Sequence, residues 1–342
     1  MTGQAQGKWL VLPNANGYFN GGMACTYDNV HQLGIRFGGD DYNLTQTNDL
    51  YTWNGNSWEF IWSGGPSPRV NSFMAFDNSR RTAVLFGGWV RPDNYYGDTW
   101  VWNGIGWRQF SPVRRPPARA NQAMGYDSVR NRVVLFGGSL YQTFYGDTWE
   151  WDGAAKTWTL RSTTGPSPRM FARMAFDEAR GVMVLFGGQF KYQPPQPGLQ
   201  YFGDTWEWNG VLWRRVATSG PSPRSWHNMA YDPTRKRVIL FGGSGDGRTY
   251  SLNDLWEWDG RSWTNITDYG PTNPPSRIGS CLFFDSITKK LTLFGGYDHW
   301  PGFHTYRDTW RYTAPITVRA PNGGETWPVG STQVISCPLH TS

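Results

Sequence analysis

The segment MAFDNSRRTAVLFGGWVRPDNYYGDTWVWNGIGWRQF, residues 74–110, contains one full copy of a pattern that recurs along the chain. Short runs rich in β-branched and aromatic residues alternate in it with turns rich in Gly, Asn and Asp, which is typical of strands joined by tight turns. The pattern predicts four strands, at about 72–76, 82–87, 98–102 and 106–110. Because alternate residues of a strand share a face, Trp100 and Trp102 lie on one side and need a second sheet to cover them.

The tripeptide Phe-Gly-Gly of this segment occurs six times, at intervals of 49 to 55 residues. The copies begin at Phe37, Phe86, Phe136, Phe186, Phe241 and Phe294. A second signature follows each copy: DLYTW from Asp49, DTWVW from Asp98, DTWEW from Asp147, DTWEW from Asp204, DLWEW from Asp254 and DTWRY from Asp308. Four-stranded units repeated at this length predict sheets stacked around an axis, because such stacking covers the aromatic faces and leaves only short edges. We therefore predict an all-β, six-bladed β-propeller.

The sixth copy lacks the turn and fourth strand that follow the other five. The residues KWLVL at 8–12 supply the missing pattern at the opposite end of the chain. Their register agrees, because Trp9 precedes Asn20 by the same 11 residues that separate Trp58 from Arg69. We predict that this N-terminal strand completes blade 6 and closes the ring.

The Phe-Gly-Gly tripeptide, the nearby Asp-Thr-Trp and the unit of roughly 50 residues resemble the Kelch repeats of β-propellers over about residues 8–312. The resemblance places the chain in the superfamily of the galactose-oxidase central domain, which includes copper oxidases and sialic-acid epimerases. The copper site of such oxidases requires a Tyr–Cys cross-link with further Tyr and His ligands. No motif in this chain matches that set, so no cofactor is predicted.

Two parts of the chain are predicted: a propeller over 1–314, and a tail or truncated module over 315–342. In the second part, the sequence PNGGE at 321–325 followed by Trp327 resembles the opening of immunoglobulin-like modules in secreted bacterial and archaeal proteins. This resemblance suggests an extracellular or cell-surface location, although no signal peptide is visible in the chain.

Composition narrows the class of partner. The chain has 21 Trp and 42 Gly, while charged residues make up only 17% and the net charge is +6. No run of 18 apolar residues and no long basic block occurs, so neither a membrane span nor nucleic-acid binding is expected. Three cysteines are too few for a disulfide framework, and Cys25 and Cys281 fall in predicted strands, where we expect buried free thiols.

Five arginines recur eight residues before the aspartate that ends each first strand: Arg69, Arg119, Arg169, Arg224 and Arg277. They enter the innermost strands, which places them at the mouth of the central channel. One interpretation is a rim that attracts anions. The alternative is a repeated pair between blades, in which each arginine binds the aspartate that opens a third strand.

Function is expected where the blades differ, because residues common to every blade are explained by the fold. The segments between second and third strands vary most and carry many aromatic rings, which suit sugar stacking or a protein hot spot. The candidate binding residues are Trp89, Tyr95, Tyr96, Tyr141, Tyr145, Tyr192, Tyr201, Trp226, His227, Tyr250, His299, Trp300 and His304. The loose spacing of the last two histidines beside Asp298 supplies no third strong ligand, so no metal is predicted.

These residues favour a non-catalytic, monomeric module that binds a glycan or a protein through its aromatic loops. The alternative is a sugar-active enzyme, oxidase-like or epimerase-like, with its site at the channel mouth and Arg224, His227 or nearby tyrosines as reactive groups. No nucleophile elbow and no convincing pair of carboxylates supports the alternative.

Overall fold

The computed structural model describes residues 7–12, 21–41, 43, 45–191, 198–245, 251–268, 273–298 and 304–314. All regular structure in these residues is β, and six four-stranded antiparallel sheets form the body of the protein. The inner strand of each sheet contacts the inner strands of both neighbours, so the sheets close into a ring. The predicted six-bladed β-propeller is confirmed. None of the described residues forms a helix long and apolar enough to cross a membrane.

Each blade, numbered 1 to 6 from the first inner strand, contains an inner, a second, a third and an outer strand. The inner strands are β2 (Ala24–Asp28), β6 (Phe73–Asp77), β12 (Ala123–Asp127), β18 (Arg173–Asp177), β24 (Asn228–Asp232) and β28 (Cys281–Asp285). The second strands are β3 (Leu33–Phe37), β7 (Thr82–Phe86), β13 (Arg132–Phe136), β19 (Val182–Phe186), β25 (Arg237–Ser244) and β29 (Lys290–Phe294). The third strands are β4 (Asp49–Trp53), β10 (Thr99–Trp102), β16 (Thr148–Asp152), β22 (Thr205–Trp208), β26 (Ser251–Trp258) and β32 (Thr309–Thr313). The outer strands are β5 (Trp58–Ser63), β11 (Trp107–Phe110), β17 (Thr157–Ser162), β23 (Trp213–Ala217), β27 (Trp263–Asn265) and β1 (Lys8–Val11).

Four small hairpins lie between second and third strands. They pair β8 (Trp89–Val90) with β9 (Asn94–Tyr95), β14 (Ser139–Leu140) with β15 (Thr143–Phe144), β20 (Gln189–Lys191) with β21 (Leu199–Tyr201), and β30 (Tyr297–Asp298) with β31 (His304–Thr305). In blade 5 the same place is taken by an extension of β25 and β26. The end of the propeller that carries these hairpins, together with the segments from each outer strand to the next inner strand, is called the loop face. The opposite end, with the turns from inner to second strands, is called the turn face.

The aspartate that ends each inner strand shapes the turn that follows it. Asp127 Oδ1 accepts hydrogen bonds from the backbone N–H groups of Val129 at 3.0 Å and Arg130 at 2.9 Å. The same pair of bonds recurs after Asp28, Asp232 and Asp285. A short acceptor side chain satisfies turn N–H groups in this way without help from a neighbouring strand, so the recurring aspartate is explained by the fold.

One aromatic pair recurs at every boundary between blades. The phenylalanine of each Phe-Gly-Gly contacts the tryptophan of the outer strand in the next blade, with ring centroids 4.8–5.5 Å apart. The pairs are Phe37–Trp107, Phe86–Trp158, Phe136–Trp213, Phe186–Trp263, Phe241–Trp9 and Phe294–Trp58. Each of these tryptophans also packs on an aromatic ring of its own third strand, at 5.2–5.6 Å. Such pairs add about 0.5–1.5 kcal/mol beyond the apolar area that they bury, and they hold neighbouring blades together.

The N-terminal strand completes blade 6, as predicted. β1 pairs antiparallel with β32, and Trp9 stands opposite Tyr312. The Trp9 side chain is 5% exposed and belongs to the cluster between blades 5 and 6. It therefore occupies the same position as the outer-strand tryptophans of the other five blades.

The ring has a second, covalent closure that the sequence analysis missed. Cys25 and Cys281 form a disulfide between the inner strands of blades 1 and 6, at a sequence separation of 256 and with a Cα–Cα distance of 5.9 Å. The prediction of buried free thiols was wrong for this pair. The two cysteines occupy different positions of their repeats, and only the closed ring brings the facing sides of the first and last blades together.

Candidate binding face

The central channel is open toward the turn face. A cavity of about 220 Å³ is lined by residues of all six inner strands, and also by Asn29, Asn78 and Glu178, which follow those strands. Its wall includes the methionines at the second position of four inner strands, Met74, Met124, Met174 and Met229. The polar and aromatic residues that vary between blades lie at the other end, on the loop face.

The five recurring arginines are buried, with side chains no more than 1% exposed. Each donates two hydrogen bonds of 2.6–3.1 Å to an aspartate of its own blade, which directly precedes the third strand in four blades and lies within β26 in blade 5. The pairs are Arg69–Asp98, Arg119–Asp147, Arg169–Asp204, Arg224–Asp254 and Arg277–Asp308. A bidentate carboxylate compensates the guanidinium charge. The structure therefore contradicts the anion-attracting rim, and it places the alternative pair within a blade rather than between blades.

The same arginines also join neighbouring blades through their main chains. Arg119 donates to the Gly137 carbonyl in its own blade at 2.9 Å, while its own carbonyl accepts from the Gly88 N–H of the preceding blade at 2.9 Å. A Cβ on Gly87 would lie 2.4 Å from that carbonyl, and the backbone of Gly87 is left-handed (φ +70). Glycine is therefore required there by both space and conformation, which explains the Phe-Gly-Gly signature.

Electrostatics agree with this structural role. Burial opposes ionisation of Asp98, Asp147 and Asp204, but the hydrogen bonds and charge of the paired arginine hold the pKa of each carboxyl below its ordinary value. The first tryptophan of the third strand adds a further N–H bond, as from Trp149 Nε1 to Asp147 Oδ2 at 2.7 Å. The repeated Arg-Asp-Trp set is thus a structural network.

Two of the predicted binding tyrosines belong to this network. Tyr96 lies over the Arg69 guanidinium at 4.0 Å, and Tyr145 lies over that of Arg119 at 3.8 Å. Phe202 and Tyr306 hold the same position over Arg169 and Arg277. Because this contact recurs in four blades, the rings of Tyr96 and Tyr145 are explained as covers for buried guanidinium groups.

The arginine and the histidine named for the enzyme alternative are buried. His227 is 0% exposed and packs edge-on against Phe186 with centroids 5.5 Å apart. Burial, together with the charges of Arg173 and Arg224, holds the pKa of His227 well below its ordinary value, so the ring is neutral. Arg224 is committed to Asp254. Neither side chain is presented to a substrate at the loop face.

Trp226 belongs to a ring of left-handed residues around the channel mouth. These are Gly22, Asn71, Asn121, Phe171, Trp226 and Gly279, with φ between +54 and +67. The backbone N–H of each of five residues donates to the carbonyl of the equivalent residue in the preceding blade, at 2.7–3.4 Å. With the donor first, the pairs are Asn71–Gly22, Asn121–Asn71, Phe171–Asn121, Trp226–Phe171 and Gly279–Trp226. Four residues of this hydrogen-bonded ring carry side chains: Asn71, Asn121, Phe171 and Trp226. The Phe171 ring stacks on the Trp226 ring with centroids 3.6 Å apart.

Three other predicted residues form a row of aromatic rings across blades 2 and 3. Trp89 stacks on Tyr95 with centroids 6.2 Å apart, and Tyr95 meets Tyr141 edge-on at 4.9 Å. Tyr141 is 60% exposed, and its hydroxyl donates to the Asp93 carbonyl at 2.9 Å. Arg91 lies over the Trp89 ring at 5.8 Å and pairs with Asp40 of blade 1. We call Trp89, Tyr95 and Tyr141 the aromatic row.

The remaining predicted residues are dispersed. Tyr201 is a partly buried residue of β21, and His304 is an exposed residue of β31 that stands opposite Asp298. Tyr192, Tyr250, His299 and Trp300 lie outside the described residues.

Sequence reasoning missed Arg173, the first residue of β18, whose side chain enters the channel at its loop-face end. Its guanidinium lies over the Phe73 ring of blade 2 at 4.5 Å, so the side chain reaches across the channel. Comparison of the blades at this position was the available signal, because the equivalent residues are Ala24, Phe73, Ala123, Asn228 and Cys281.

A scan against protein-family models finds no family that matches this chain.

Proposed function

We propose that the chain is a Kelch-type propeller that acts as a non-catalytic binding module and recognises a glycan or a protein through its loop face. The observation that carries this proposal is the aromatic row, in which rings from two blades adjoin and Tyr141 is largely exposed. The row is a departure from the repeat, so the packing of the blades does not require it.

The chemistry of the row suits a carbohydrate first. Flat rings with polar groups at their edges can stack against the C–H face of a sugar while Arg91 and backbone carbonyls bind its hydroxyls. A protein is the second candidate, because the neighbouring hairpins of blades 2, 3 and 4 contact each other, for example through Phe144 and Phe190 at 4.8 Å. A continuous rigid surface of this kind also fits a protein interface with aromatic anchors.

The proposal extends to location and organisation. Disulfides persist in oxidising compartments, so the Cys25–Cys281 bond supports an extracellular or cell-surface setting. The resemblance of 321–327 to secreted immunoglobulin-like modules points in the same direction. We propose a monomeric propeller over 1–314 followed by a tail or truncated module over 315–342.

Binding to a glycan array and pull-down of surface proteins test the proposal on the whole chain. The double variant Trp89→Ala, Tyr141→Ala should lose binding by at least tenfold, since each ring contributes about 1 kcal/mol or more at a stacking contact. Trp62→Ala is the matched control, because Trp62 is 49% exposed on the outer strand of blade 1, away from the row. Undiminished binding by the double variant would overturn the assignment, as would equal loss in the control.

A further inference from the structure

The loop-face mouth of the channel contains one arginine whose charge no carboxylate compensates among the described residues. Arg173 Nη1 donates to the Ala172 carbonyl at 3.2 Å, and its guanidinium lies over Phe73. The five recurring arginines instead hold bidentate aspartates. Arg173 therefore does not belong to the structural network of the repeat.

The surroundings of Arg173 are not those of a solvated surface charge. Burial lowers the pKa of its guanidinium to about 9, and only the electrostatic influence of Tyr297 opposes this effect. A guanidinium removed from water gains strongly from an anionic partner, because charge-assisted hydrogen bonds are stronger in such an environment. The side chain still retains partial exposure, so a ligand entering the mouth can reach it.

The neighbouring groups complete a site with one charged and one aromatic side. Trp226 stacks on Phe171 and lies 6.4 Å from the Tyr297 ring, so these rings form a wall of the mouth. Asp40 is the acidic residue that acts on Tyr297, and it is paired with Arg91 at 3.2 Å and with Gln46 at 2.8 Å. The paired state of Asp40 reduces its repulsion of an incoming anion.

We infer that this mouth is a second binding site, in which Arg173 binds a carboxylate and the Trp226 wall receives the apolar or ring-shaped body attached to it. A planar guanidinium matches the two oxygens of a carboxylate. The chemistry required is a single carboxylate on a compact body, which either a peptide C-terminus or a carboxylated sugar supplies. This site is separate from the aromatic row and does not rest on the proposed function.

Benzoate and its neutral isostere benzamide test the site by isothermal titration calorimetry at low ionic strength. The wild-type protein should bind benzoate at least tenfold more tightly than benzamide. Equal affinity for the two, or no binding of benzoate, would overturn the inference without reference to any variant. Arg173→Gln should lower benzoate affinity at least tenfold, whereas Arg114→Gln, which removes an exposed arginine, should change it less than twofold.

Circular dichroism and the unfolding midpoint show whether Arg173→Gln retains the fold, and unchanged benzoate affinity in the folded variant would refute the role of Arg173.

Two further comparisons distinguish the source of the carboxylate. The first compares N-acetyl-Gly-Phe with its C-terminal amide, and the second compares a uronic acid with the corresponding neutral hexose. Trp89→Ala, Tyr141→Ala should bind benzoate as the wild type does. Failure of this site and failure of the aromatic row are therefore distinguishable.

Discussion

Reduction of the Cys25–Cys281 disulfide should lower the free energy of unfolding substantially. The bond closes a loop that spans 256 residues of sequence, and the chain-entropy model assigns about 5 kcal/mol to loops longer than 100 residues. This value is comparable to the whole stability of a typical domain, which is about 5–15 kcal/mol. Loss of the bond leaves the ring closed only by non-covalent contacts, namely the pairing of β1 with β32 and the packing of β2 against β28, so the ring should open there first.

Urea unfolding followed by tryptophan fluorescence, with and without a reductant, measures this effect. Cys25→Ala, Cys281→Ala should unfold at the midpoint of the reduced wild type and should no longer respond to reductant. Cys337→Ala is the control, since it removes the third cysteine and leaves the disulfide in place; it should behave as the wild type. An unchanged midpoint after complete reduction, verified by mass spectrometry of the linked peptides, would refute the reasoning.

Three further outcomes follow from the packing and the ion pairs. Trp9→Ala should lower the free energy of unfolding by about 3–5 kcal/mol, because it removes a large buried ring. Leu10→Ala, at a neighbour that is 62% exposed, should change it by under about 0.5 kcal/mol. The midpoints of denaturant unfolding compare the two variants. Thr148→Val should cost about 1–3 kcal/mol in the same assay, because it leaves the buried Trp213 indole N–H, now bonded to Thr148 Oγ1 at 2.7 Å, without an acceptor. Stability should fall as the pH drops below about 4, since the pKa of Asp147 is lower in the folded protein than in the unfolded chain; Asp147→Asn should show a smaller loss of stability over that pH range.

The fold could be predicted from the sequence because each of the six blades uses the same residue types at the same spacing to pack against its neighbours. The Phe-Gly-Gly and Trp positions recur in register, and strand bounds predicted for blade 2 agree with the structure within about one residue. Ring closure was also predictable, since one blade lacked an outer strand and the pattern around Trp9 supplied it. Local pattern decides these features, so no knowledge of distant contacts was needed.

The disulfide and the partners of the recurring arginines could not be predicted in the same way. Cys25 and Cys281 occupy non-equivalent positions in their repeats, and only the closed ring brings them together. The recurring arginines were recognised as a feature of the repeat, but spacing alone does not reveal which way a long side chain points. Tyr96 and Tyr145 were selected as exposed rings in variable loops, although their contacts with Arg69 and Arg119 are part of the repeat.

Departures from the repeat are therefore of two physical kinds: some replace a residue that the repeat has lost, and others have no structural role in their blade. Blade 1 shows the first kind. Asn20 takes the place of the recurring arginine there, and β3 carries Arg36 where β7 carries Leu85. Arg36 is 1% exposed, lies over the Tyr51 ring at 3.9 Å and acts electrostatically on Asp49, the equivalent of the paired aspartates. This arginine restores a positive charge near Asp49 from a different strand, so it compensates a lost residue. Arg173 compensates nothing, because blade 4 already contains Arg169 paired with Asp204. A partly buried charge that the packing of its blade does not need is best explained by a ligand.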